Sequence, residues 1–237
     1  VAPNGGKLVN RVVAKPLDKS YLNSLIKIQL TANQQLDLEQ IAIGTYSPID
    51  GFMNKVELES VLETMRLPNK IIWPIPILLD IDKTKADKIK LGDIVSLLDS
   101  SNDFIGTIKV DDKFTYDKKI LIKKLYGLDN PIHPGTNLIN SMQPFFIGGK
   151  ISLHNKVKRN YDKYNLTPKQ ARRLFDEKNW TRVVGFHTRN VIHRAHEFIQ
   201  LSALEKGKCD GLFIHPVVGK KKSGDYNSNL IIKSYEI

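Results

Sequence analysis

Ten residues, His187-Thr188-Arg189-Asn190-Val191-Ile192-His193-Arg194-Ala195-His196, hold three of the six histidines in the chain together with two guanidiniums and two small polar side chains. This set is rich in hydrogen-bond donors and in groups that can carry positive charge, and it contains no paired carboxylates. Its chemistry is therefore the binding of anions. With Asn190 read as an N-cap, His193 and His196 fall in the first two turns of a helix, three residues apart and on one face. Free backbone N–H groups, the positive end of the helix macrodipole, Arg189 and the imidazoles together make a pocket for a polyanion, with phosphate the obvious guest.

Other chemistries fit less well. The i, i+3 spacing of His193 and His196 is not that of a helical zinc site, and no third ligand stands nearby, so no metal is assigned to protein side chains. There is no G-x-S-x-G elbow and no G-x-x-x-x-G-K-[ST] loop, which argues against a nucleophile-elbow hydrolase and a P-loop kinase. Glu197 is read as serving the first helical turn. His133 and His154 have no partners at interpretable spacing. His215 either contacts ligand or hydrogen-bonds at a strand end.

The elements around the turn follow from pattern. A β-branched run over 182–186 reads as a buried strand, and a helical pattern beginning near His193 runs to Gly207, read as a C-cap between Lys206 and Lys208. Residues 211–214 form a second strand leading into His215-Pro216-Val217-Val218-Gly219. This is a β-α-β unit, for which a parallel pair is expected. Ligands on such sheets sit at the carboxyl ends of the strands, where 187–190 and 215–219 lie.

His187-Thr188-Arg189-Asn190, His193-Arg194-Ala195-His196, then His215-Pro216-Val217-Val218-Gly219 with Gly224-Asp225, resemble the nucleotide-binding core of ATP sulfurylases. The HxxH element alone is shared by a broad superfamily of nucleotidyltransferases; both segments at this spacing are specific. The resemblance implies ATP and sulfate as substrates, adenylyl sulfate and pyrophosphate as products, and direct in-line attack of sulfate on the α-phosphorus. It implies Thr188, Arg189, Asn190, His193 and His196 as catalytic residues. ATP would be bound by these five with His187, His215, Val218 and Gly219, and sulfate by His187 and Arg189. Mg2+ would accompany ATP, held by phosphate oxygens and water. His187 stands where the family commonly has Gln, and Val191 where Pro is common. The family's later Gly-Arg-Asp-His segment lies outside these 237 residues, so the chain is read as C-terminally shortened, with an incomplete site. Members differ in oligomeric state, and a homo-oligomer is compatible with the resemblance.

Ahead of this core, Ala2-Pro3-Asn4-Gly5-Gly6 resembles the family's Pro-His-Gly-Gly opening, with Asn4 for His, and 46–53 resembles another of its turns. Helices are expected over 36–43, ended by Gly44, and over 55–66. The run 73–80 reads as a strand confined to an edge or bulge by Pro74 and Pro76. Residues 94–98 and 104–110 flank a hairpin turn at 99–103. Short strands through this half argue for a small β-barrel, which the resemblance identifies as PUA-like. A Lys-, Asn- and Tyr-rich linker spans 155–165, and Thr167-Pro168-Lys169-Gln170 carries a capping box with Pro at the first helical position. The expected organisation is a PUA-like domain over 1–165 and the first part of an α/β Rossmann-like nucleotidyltransferase domain over 166–237. A last helix is expected over 229–235.

The formal net charge of +11 accompanies 41% hydrophobic and 26% charged residues, the composition of a globular chain. Lysine clusters at 118–119, 123–124, 156–159 and 220–222 are dispersed, without an RNP-type motif or zinc-finger spacing, so they read as solvated surface rather than a nucleic-acid footprint. The alternatives are another HxxH nucleotidyltransferase with a different acceptor, and a PUA-like RNA-binding module with a vestigial nucleotide site. A single cysteine, Cys209, excludes an internal disulfide and favours a reduced cytoplasmic setting. No apolar run approaches the roughly 18 residues a membrane-spanning helix needs.

Overall fold

A computed structural model describes residues 2–15, 17–127, 133–157, 161–218 and 224–236. The chain folds into two compact units, Ala2–Lys158 and Arg159–Ile237.

The first unit runs α1 (Lys19–Ser24), β1 (Lys27–Gln29), α2 (Ala32–Ile43), β2 (Gly51–Phe52), α3 (Lys55–Thr64), β3 (Leu79–Ile81) and α4 (Lys83–Lys88). It continues with β4 (Ile94–Leu98), β5 (Phe104–Lys109), β6 (Asp112–Thr115), α5 (Lys118–Tyr126), α6 (Pro134–Ser141) and β7 (Phe145–Leu153). The expected hairpin of β4 and β5 is present and antiparallel. Its turn is closed by the Asp99 carboxylate, which accepts the N–H groups of Ser101 and Asp103 at 2.8 and 2.9 Å. Together these strands form the curled mixed sheet expected of a PUA-like barrel.

The sheet is organised by β7, a strand absent from the sequence-based expectation. Phe145, Phe146 and Ile147 pair with β3 on one side and β6 on the other. Further along, Gly149 and Lys150 pair with β2, and residues 151–153 pair with β5. One strand thus serves two sets of neighbours by changing direction at Gly148-Gly149. Gly149 has φ 148°, and a Cβ there would lie 2.0 Å from the Lys109 carbonyl oxygen. Across the pair, a Cβ on Gly51 would lie 1.9 Å from the Gly149 carbonyl oxygen. Only glycine permits both the bend and the backbone approach.

Around β7 the core is apolar. Phe52, Leu38, Ile41, Leu58, Leu79, Leu97, Ile108 and Phe146 are all buried, each contributing about 1.5–3 kcal/mol of transfer free energy. Helix α2 begins four residues earlier than expected, because Thr31 and Gln34 form a capping box, and Gly44 ends it at φ 88°. Helix α3 stops at Thr64, two residues short of the expected end, with Met65 as a left-handed cap. The expected strand over 73–80 is reduced to β3, since Pro74 and Pro76 have no N–H to donate to a ladder. Two lysines close helix ends: the Lys113 Nζ donates to the carbonyls of Ala86 (2.5 Å) and Ile89 (2.8 Å), and that of Lys118 to Asn140 (3.1 Å) and Met142.

The second unit contains α7 (Pro168–Glu177), β8 (Val183–Thr188), α8 (Arg194–Gly207), β9 (Gly211–Pro216) and α9 (Ser228–Ser234). The capping box of Thr167 and Gln170 is present, with Pro168 in the first turn. Strands β8 and β9 are parallel. No helix among the described residues is long and apolar enough to cross a membrane.

If the Gly51 and Gly149 contact sets the bend of β7, Gly149→Ala will destabilise the first unit by roughly 2 kcal/mol or more in urea denaturation. A change within about 0.5 kcal/mol would show that the strand can move aside.

Candidate functional site

Asp210 fixes how β8 and β9 start. Its carboxylate accepts the backbone N–H groups of Thr181 (2.7 Å) and Arg182 (2.9 Å) and the Thr181 hydroxyl (2.8 Å), and its own N–H donates to the Arg182 carbonyl. These bonds, the Arg182 N–H foremost, hold the carboxyl below the usual aspartate range. From that clamp the pairing runs Val183↔Gly211 to His187↔His215 and Thr188↔Pro216. Past the last pair, the Val217 N–H still donates to the Thr188 carbonyl at 2.7 Å. Register therefore brings His187 and His215 side by side at the carboxyl edge. Pattern reading assigned Asp210 no role, although an Asp directly before a strand was the available signal.

β8 is partly exposed rather than buried, with Gly185 and His187 open and Thr188 buried. Strand alternation sorts its side chains. Phe186 meets the His196 ring of α8 edge-on at 5.8 Å. On β9, Phe213 packs edge-on against Phe175 of α7 at 5.2 Å and against His215 at 4.4 Å. The imidazoles thus fall into two pairs on opposite faces of the strand pair, His193 with His196 beside Phe186, and His187 with His215 beside Phe213. Desolvation lowers the His215 pKa, and the neighbouring His187 lowers it further.

The turn after β8 differs from expectation at the helix start. His193, not Asn190, is the N-cap: it is extended at φ −147° and ψ 171°, and its Nδ1 accepts the Ala195 N–H at 3.3 Å. Asn190 instead donates its backbone N–H to the Thr188 hydroxyl at 3.1 Å, closing a local turn that competes with helix. The Ile192 N–H donates to the Ser234 hydroxyl at 3.2 Å. His196 occupies the third helical position, its ring centroid 3.8 Å from that of His193 with the planes tilted by 30°. With Nδ1 engaged as acceptor, His193 has Nε2 left for a ligand. At the other end Gly207 is the last helical residue and Lys208 the left-handed cap at φ 45°, one residue later than expected.

Arg189 is exposed and lies 3.9 Å from the Asp225 carboxylate, a contact the sequence did not foretell. Thr188 is buried, Asn190 and Val218 are exposed, and Gly219 lies outside the described residues, as do Lys220, Lys221 and Lys222. Among the described residues no group of three His, Cys, Asp or Glu side chains could hold a metal ion.

A parallel strand pair with a crossover helix, presenting imidazoles and a guanidinium at its carboxyl edge, makes this an α/β unit on a chain that also carries a PUA-like sheet. Residues 1–156 match the PUA-like domain family and residues 162–237 the ATP-sulfurylase family. By the match that covers more than half of its length, the chain belongs to the PUA-like domain family. It is 39% identical to the sulfate adenylyltransferase of Acaryochloris marina over 100% of its length and 40% identical to that of Pyrococcus abyssi over 99%. It spans 62% and 61% of those relatives, about three fifths of their length. A solved structure, the hexameric APS kinase from Thiobacillus denitrificans, shares the fold with a TM-score of 0.75 at 22% identity; the match covers 99% of this chain and 43% of that one.

Two measurements separate the roles of these histidines. His193→Asn will keep the cap, whereas His193→Ala will cost about 1 kcal/mol in thermal or urea unfolding; equal stability of the two would remove the capping role. In proton NMR titration His215 will show a midpoint below the ordinary 6.5, and His187→Ala will raise it part of the way back. Because the folded value is the lowered one, this group's contribution to stability is complete above 6.5 and falls as the pH drops towards the folded midpoint. A His215 midpoint unmoved by His187→Ala would show that desolvation alone sets it.

Proposed function

We propose that the parent protein is a sulfate adenylyltransferase and that this chain supplies the histidine turn of its active site. The reading is carried by one observation: the β8 and β9 register sets His187 beside His215 at the carboxyl edge, while the turn leaving β8 ends in the stacked His193 and His196. A sulfate oxygen forms a bond to the α-phosphorus of ATP as the bond from that phosphorus to the bridging oxygen of pyrophosphate breaks, giving adenylyl sulfate and pyrophosphate. No covalent enzyme intermediate is needed, so the protein's work is alignment and neutralisation of charge.

In this reading His193, through Nε2, and His196 face the phosphates and stabilise charge that moves onto pyrophosphate. Arg189 bridges phosphate and sulfate, and its exposure leaves it able to swing away from Asp225 onto an anion. Thr188 and Asn190 shape the turn through their mutual hydrogen bond and offer polar groups to the nucleotide. His187 and His215 serve ATP from the other face, His187 also receiving sulfate, and Val218 and Gly219 are assigned to ATP as well. Magnesium enters as part of the MgATP substrate, held by phosphate oxygens and water. The proposed setting is the cytoplasm, and assembly into a homo-oligomer is compatible with it.

The test is exchange of labelled pyrophosphate into ATP, with and without sulfate, on this chain and on a form extended to the length of its relatives. The extended form is expected to exchange only with sulfate, and Arg189→Ala to lower the rate by about a hundredfold. Exchange independent of sulfate would point to another acceptor and overturn the proposal.

A further inference from the structure

A second concave site lies within the first unit, in a cleft of about 630 Å3 between α1 and the β4–β5 turn, a volume typical of small-molecule sites. Leu17 and Leu22 supply apolar lining, and Phe104 and His154 an aromatic one, their ring centroids 5.4 Å apart at 41°. The rings are held by the backbone, since the His154 N–H donates to the Ile105 carbonyl at 2.8 Å and the Asn155 side chain to the Phe104 carbonyl at 2.9 Å. Two carboxylates also line the cleft. Asp99 is 9% exposed with Oδ1 already accepting two backbone N–H groups, and Asp103 is exposed. Lys156 lines it as well, leaving one net negative charge.

We propose that this cleft binds a small planar aromatic cation, such as an aryl amidine without phosphate, its ring against Phe104 and His154 and its charged end at Asp99 and Asp103. The rigid aromatic pair selects a flat apolar body. The carboxylates select a donor-bearing, positively charged end and disfavour anions. Burial lowers the His154 pKa, against a hydrogen bond to the Lys15 backbone that raises it, so near neutral pH the imidazole does not repel a cation. Its buried Nδ1 has no hydrogen-bond partner among the described residues. None of these residues belongs to the histidine turn, and the inference stands apart from the proposed adenylyl transfer.

Benzamidine and benzoate, matched in shape and opposite in charge, are the probes, with saturation-transfer NMR and calorimetry on the 237-residue chain as the readouts. Benzamidine is expected to bind and benzoate not. Asp103→Asn, at an exposed position that does not threaten folding, should weaken benzamidine about fivefold. Leu22→Trp should fill the cleft and abolish binding, and Arg189→Ala should change nothing. Equal binding of benzoate, absence of any benzamidine signal, or full binding by both Asp103→Asn and Leu22→Trp would overturn the proposal.

Discussion

Backbone pairing with a fixed register is the constraint on which both units depend. A strand has a side-chain period of two, so a slip of one residue exchanges its faces. In the second unit the Asp210 carboxylate, holding Thr181 and Arg182, fixes that choice beside the first pair. Everything at the far end follows from it, including which imidazole stands beside Phe213 and which ring of α8 meets Phe186. In the first unit the same role falls to β7, whose two halves pair with different neighbours. There the decisive feature is the absence of side chains at Gly51 and Gly149, which lets one backbone pass against another.

Much of this was legible from sequence, and the misses have physical causes. The hairpin of β4 and β5, the Thr167 capping box and the parallel β-α-β order each rest on local pattern and appear as read. β7 was not legible because Gly148-Gly149 interrupts its apolar run, and glycine inside a strand reads as a break until the opposing backbone is seen. The shift of the cap from Asn190 to His193 arose because the Thr188 hydroxyl captured the Asn190 N–H, a competition between nearly equivalent local hydrogen bonds. The site residues themselves were readable as types, while their sorting onto two faces required the pairing partner of each strand residue.

The capping role of His193 ties helix formation to the chemistry of the turn. A side-chain acceptor satisfies one of the free N–H groups at the start of α8, which would otherwise be available to an anion. In exchange the imidazole is oriented by a fixed bond instead of by ligand alone, and its stacking on His196 restrains both rings. The turn is in this sense pre-organised, because much of the ordering is done by the fold before any substrate arrives.

Lys113 and Lys118, set on the carbonyls that end α4 and α6, make two kinds of lysine within the charge of +11. An ammonium fixed on helix carbonyls has its partners within contact distance and is hardly screened by added salt. An exposed lysine such as Lys119 or Lys123 interacts over a Debye length, about 8 Å at physiological ionic strength. Carbonyl dipoles leave each ammonium its whole charge, so the long-range field keeps the formal +11 and is screened by salt, while the short bonds of Lys113 and Lys118 persist in it. Part of its basicity is internal mortar for helices.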